Sequence, residues 1–265
     1  MKDPTVAGRF FLILTLLLLV GARGRAQGPA RGQAQDATTA QATAPKDLAG
    51  YWVSVVTEDW RWRMVVPIKG DFASVPLNLE GRKVADAFDP AKVLSGEDQC
   101  KSYGAPALLR VPGRLHVYWQ DGNTLRIDAD AGTQTRLLHF GGSPPATNEP
   151  QPQGYSVASW EGLAARGPVA RKAVSEAPKG YLRIVTTHLR PGYLRRNGIP
   201  YSANAGLEEY LERFSESNGD VWLVATIIVT DPLYLSQPYV THAHFKKIAD
   251  ASGWDPTPCR ADEAR

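Results

Sequence analysis

Apolar and polar residues alternate with a period of two along most of this 265-residue chain, the spacing of strands whose successive side chains point to opposite faces. "GYWVSVVTE" opens the pattern and "EDWRWRMVVP", residues 58–67, continues it. In the second stretch Trp60, Trp62 and Met64 fall on one side of an expected strand and Arg61 and Arg63 on the other. Further strands are expected at "RLHVYWQ", "TLRIDAD", "TQTRLLHF", "YSVASWEG", "YLRIVTTHL", "DVWLVATIIVTDP" and "YVTHAHFKK". Asp121-Gly122 between two alternating runs marks a hairpin, on the reasoning that its turn needs positive φ. Residues 207–217 fit two patterns. Leu207, Tyr210, Leu211 and Phe214 have helical spacing, yet Asn218-Gly219 before a fully apolar strand demands an extended partner, so 209–217 is read as strand. "LNLEGRKVADAFDP" is read as a helix ended by Asp89-Pro90 and 91–112 as loop. Nine or ten closely spaced strands with one or two short helices describe an all-β fold, mainly an antiparallel barrel or sandwich.

The two ends depart from this pattern. A charged start with Lys2 and Arg9, an apolar run at 10–20, and the small residues Gly24 and Ala26 before Gln27 have the form of a cleaved signal peptide over 1–26. The run is shorter than the roughly 18 residues that span a bilayer, so no membrane span is expected after cleavage. Residues 27–46, "QGPARGQAQDATTAQATAPK", hold no large apolar side chain and are read as a disordered leader. A single β-rich domain over 47–265 remains.

Charge changes the picture once that segment is set aside. Lys2, Arg9, Arg23 and Arg25 against Asp3 account for the whole formal charge of +3, leaving 26 basic and 26 acidic residues. A neutral chain has no electrostatic footprint for nucleic acid. The two cysteines, Cys100 and Cys259, are an even count in a chain expected to be periplasmic or secreted, which favours a disulfide over two free thiols.

"GYSVASWEG", then "LRIVTTHLRPGYLRRNGIPYSANA", "LERF" and "TIIVTDPLYLSQPYV", resemble a large group of small exported bacterial proteins. That group has a GYSVxxWEGD segment, then VVET, a TERF-type strand and a DP…Y…P close. It also has a Gly-x-Trp start, here Gly50-Tyr51-Trp52, and usually a mid-chain and a late cysteine. The resemblance covers most of 48–259 and implies no catalytic residue, since members of the group are mostly called hypothetical. The chain departs from the pattern at "WEGLAARG", where an insertion over 163–180 stands in place of a tight turn. The Gly-x-Trp start is also similar to that of lipocalins, which implies a barrel around one apolar ligand.

Candidate chemistry gathers in three places. Trp60 and Trp62 are candidate cavity wall, with core packing as the alternative. In "TTHLRPGYLRRNG", His188, Arg190, Arg195 and Arg196 gather with Tyr193 around a Pro-Gly turn, where an arginine fork suits a carboxylate or phosphate; the alternative is a solvated loop whose arginines pair with Glu208, Glu209 and Glu212. His242 and His244, two apart on an expected strand, share one face; with His188, or with His139, Glu161 or Asp231, they form a candidate Zn²⁺ or Fe²⁺ site. No nucleophile motif or phosphate loop is present. The leading expectation is an exported domain that binds a small, apolar or carboxylate-bearing molecule. The alternatives are a metal-assisted hydrolase, isomerase or oxygenase, and an accessory protein-interaction module.

Overall fold

The structure is a computed structural model that describes residues 38–93, 96–144, 149–162 and 180–261. The expected signal peptide, the first part of the leader and residues 163–179 of the insertion lie outside the described residues.

Nine strands close into a barrel. In chain order they are β1 (Gly50–Val55), β2 (Arg114–Asp121), β3 (Thr124–Ala129), β4 (Gln134–Phe140), β5 (Tyr155–Gly162), β6 (Gly180–Thr187), β9 (Gly206–Ser215), β10 (Val221–Thr230) and β11 (Tyr239–Ile248). Around the wall the order is β1-β11-β10-β9-β6-β5-β4-β3-β2. Up-and-down strands in an odd ring cannot all be antiparallel neighbours. The one parallel pair is β4 with β5, and their 14-residue connection gives the length a same-direction return needs. β7 (Gly192–Arg195) and β8 (Ile199–Tyr201) form a separate hairpin.

The period-two pattern sets the two faces of the wall. Trp52, Leu115, Val117, Leu125, Ile127, Leu138, Leu182, Ile184, Leu211, Ile227 and Phe245 point inward and join one continuous core. Trp52, the Trp of the Gly-x-Trp start, is fully buried and donates from Nε1 to the Leu48 carbonyl at 3.0 Å. Two charges stand inside as well. Arg136 on β4 and Glu209 on β9 pair at 2.7 and 3.0 Å, and Arg136 also donates to Ser156 and Thr186. Both side chains are shielded completely from solvent, so each tolerates burial only through the other.

The connections at one end of the barrel form a cap. Between β1 and β2 run α1 (Trp60–Arg63), α2 (Leu79–Asp86), two 3-10 stretches (Pro90–Val93 and Gly96–Tyr103) and α3 (Ala105–Leu108). The β7–β8 hairpin lies in the connection from β6 to β9 at the same end. A disulfide joins Cys100 in the cap to Cys259 near the C-terminus, closing a separation of 159 residues; bridges of this kind persist in oxidising compartments. In the chain-entropy model a loop that long contributes about 4–5 kcal/mol.

The strand reading of 209–217 agrees with the structure over 209–215, and the helix at α2 agrees as well. Four expectations are corrected. Residues 60–63 form one helical turn instead of a strand, because Asp59 turns the backbone left-handed (φ 54) and its neighbours find helical-side partners: Trp62 Nε1 and Arg61 both reach Asp71. The presumed loop 91–112 carries three helical stretches, which bury Ala105, Leu108 and Leu109. The hairpin at 121–124 exists, but neither Gly122 nor Asn123 has positive φ. Glycine is needed there for space, since a Cβ would lie 2.6 Å from Thr39 Cγ2. That contact also moves the packed start of the domain ahead of Asp47: Ala40 and Gln41 donate backbone hydrogen bonds to Asn123 and Gly122.

Candidate functional site

The cap holds a cavity of about 360 Å³, within the range that encloses small organic ligands. The 3-10 helix Gly96–Tyr103 supplies Asp98, Cys100 and Lys101, the start of β4 supplies Gln134, and the segment entering β7 supplies Arg190. Tyr201, the last residue of β8, reaches the cavity from below.

Tyr201 is placed by two glycines. A Cβ at Gly104 would lie 2.0 Å from its hydroxyl oxygen and one at Gly192 2.6 Å, so the ring passes between two bare backbones. Only 1% of the residue is exposed, and burial raises the phenol well above its ordinary pKa. Its hydroxyl therefore stays protonated as a donor. That hydroxyl has no hydrogen-bond partner among the described residues, and it faces the cavity. Lys101 is held by Asp98 at 2.9 Å and lies over the Tyr193 ring, 5.9 Å from its centroid. Arg190 donates from Nε to the Pro150 carbonyl at 3.4 Å, which orients its guanidinium along the rim. The wall thus presents two cations, one neutral donor and the amides of Gln134 and Gln151 around apolar proline surfaces.

The residues predicted from sequence are dispersed differently. Arg190 lines this cavity, and Tyr193 stands behind it, edge-on to Phe88 and with its phenol raised chiefly by burial. His188 adopts φ 58 at the end of β6, its Nδ1 2.7 Å from Thr187 Oγ1. Trp60 is 65% exposed on the outside of α1, whereas Trp62 lies half-buried against Arg195. Lys101, Gln134 and Tyr201 were missed. Tyr201 was legible only as a tyrosine after a turn, because the glycines that admit it are nine and 97 positions away.

Nothing in the comparisons adds to this geometry. No family model, no curated protein and no solved structure matches the chain.

The candidate metal ligands do not converge. His242 and His244 share the outer face of β11, as expected, with Nδ1 atoms 3.8 Å from Glu58 Oε2 and 3.0 Å from Thr57 Oγ1 respectively. His188 follows β6, which is separated from β11 by β9 and β10, a wall distance of about 14 Å at normal strand spacing. His139 stacks on Tyr155, Glu161 faces Arg183, and Asp231 accepts from Ser202 and Leu233. Among the described residues no group of three or more His, Cys, Asp or Glu is arranged to hold a metal ion. Nor, among them, is any helix long and apolar enough to cross a membrane.

Proposed function

We propose that this protein is an exported binding domain for a small organic carboxylate, and that the ligand occupies the cap cavity and not the barrel lumen. The observation that carries this reading is the Tyr201 hydroxyl, a buried donor without a protein acceptor, opening on a ligand-sized cavity beside Arg190 and Lys101. A carboxylate accepts from the phenol and from Arg190 together, and the proline surfaces and the disulfide accept its apolar part. The inward apolar core and the buried Arg136–Glu209 pair favour a structural role for the lumen. The disulfide and the leader both fit an oxidising, exported setting.

Calorimetric titration with a panel of small aliphatic and aromatic monocarboxylic acids tests the reading. At least one acid binds with one-to-one stoichiometry, and Arg190→Gln and Tyr201→Phe each weaken it by about tenfold, as removal of one charge-assisted or buried hydrogen bond does. Absence of saturable binding across the panel, or variants that bind as tightly as the parent, overturns it.

A further inference from the structure

A second, smaller cavity of about 30 Å³ lies in the same cap, walled by Arg63, Arg110, Arg195, Arg196, Ser102 and Trp62 among others. Arg63 closes α1 and is only 4% exposed. Its Nε donates to the Arg110 carbonyl at 2.9 Å, but its Nη1 and Nη2 are buried and have no hydrogen-bond partner among the described residues. Arg195 is 5% exposed. It donates to the Ala73 carbonyl and the Tyr239 hydroxyl, stacks 4.4 Å from the Trp62 centroid, and leaves its Nε without a partner.

The carboxylates close by serve a different guanidinium. Asp59 lies 2.6 Å and Glu58 4.0 Å from Arg110, and no described carboxylate lies within 4.0 Å of Arg63 or Arg195. A guanidinium taken out of water without acceptors is costly. Burial accordingly pushes the Arg63 pKa down to about 10, which still leaves it charged at neutral pH. Glu58 Oε1, also buried without a hydrogen-bond partner among the described residues, lies 4.0 Å from Arg110 and farther than that from Arg63, so acceptors within reach of the Arg63 Nη atoms are what this site lacks.

The size and directions of the donors define the missing ligand. The cavity exceeds the 10–15 Å³ that admits one water and is about a tenth of the smallest organic-ligand sites. Its donors arrive from α1, from the turn after α3 and from the end of β7. A flat carboxylate offers acceptors in one plane, whereas a tetrahedral oxyanion offers them to several sides at once. We propose that the cavity is a binding site for a small tetrahedral oxyanion, phosphate or sulfate, held by Nη1 and Nη2 of Arg63 and flanked by Arg110 and Arg195. Trp62, fixed through Nε1 to Asp71 at 2.9 Å, stacks on the Arg195 guanidinium, whose Nη atoms bond Ala73 and Tyr239 and whose Nε has no partner among the described residues. The site is independent of the carboxylate cavity and stands whether or not that cavity binds an acid.

Thermal unfolding of the full chain, purified in chloride buffer and titrated at constant ionic strength, tests the proposal. Sodium phosphate and sodium sulfate raise Tm by about 5–10 °C at a hundredfold excess over Kd, rising with the logarithm of concentration above Kd. That logarithmic dependence, already present at low concentration, separates this from the effect of excluded salts, which grows in proportion to concentration. Arg63→Met loses the increment while its Tm in chloride equals or exceeds that of the parent, because an unsatisfied buried charge has been removed. Arg195→Gln, measured by calorimetry, weakens phosphate about tenfold and keeps the test decisive should the first variant fold poorly. Methyl phosphate binding as well as phosphate identifies the ligand as the end group of an organic phosphate; binding of the inorganic ions alone identifies the free ion. No logarithmic rise in the parent beyond that given by an excluded salt, or the same rise in Arg63→Met, overturns the site.

Discussion

Arg136 and Arg63 are equally hidden and oppositely satisfied. Arg136 sits in the barrel, 1% exposed, with both Nη atoms bonded and only Nε without a partner. Arg63 sits in the cap, 4% exposed, with Nε bonded and both Nη atoms without one. The first has its counter-charge across the lumen on Glu209. The second has no described carboxylate within 4.0 Å, although Glu58 and Asp59 stand one helical turn away and lie nearer Arg110. Burial alone therefore says little about what a charge does. A buried charge paired with its counter-charge in the chain is part of the architecture, and one whose Nη atoms find no acceptor is where the ligand is proposed.

The largest test of this contrast converts the first case into the second. Glu209→Gln leaves Arg136 without its counter-ion and is expected to lower unfolding free energy by about 3–5 kcal/mol. The double variant Arg136→Met/Glu209→Leu, measured in the same denaturant series, returns to within about 1 kcal/mol of the parent or exceeds it, since apolar replacements of a buried pair are tolerated. A single variant as stable as the parent would show that water already serves the pair.

The smallest test uses an arginine that is paired but exposed. Arg183 on the outer wall bonds Glu208, each about one-third exposed. Hydrogen bonds from Tyr210 and Arg183, in that order, hold the Glu208 carboxyl below its ordinary 4.5. A depressed folded pKa places its stabilisation above pH 4.5 and removes it as pH falls through the lower folded value. Glu208→Gln therefore costs under about 1 kcal/mol at neutral pH, and the difference from the parent vanishes at the acid end of a stability–pH profile. An undiminished difference there would contradict the assignment.

The barrel was readable because one rule covers its whole wall: inward residues every second position, broken by turns. The same alternation placed Arg136 in register with Leu138, and Glu209 in register with Leu207 and Leu211. Two opposite charges on inward positions were thus a signal present in the pattern, though one that only the strand order could pair. The cap obeys no such rule. At 60–63 period-two alternation and a single helical turn fit the same four letters, and the tertiary partners Asp71 and Arg110 decided between them. Arg190 was accessible to sequence reasoning because it stands in a turn beside histidine and tyrosine. Arg63, Arg110 and Arg195 come from three distant segments, and no spacing announces that they share a wall.

The central contrast is tested most directly by chemical denaturation of Arg136→Met and Arg63→Met side by side in chloride buffer free of oxyanions. The account predicts opposite outcomes. Arg136→Met, which strands Glu209, loses about 3–5 kcal/mol, while Arg63→Met matches or exceeds the parent. A loss in Arg63→Met as large as that in Arg136→Met would contradict it, and would return Arg63 to the architecture of the cap.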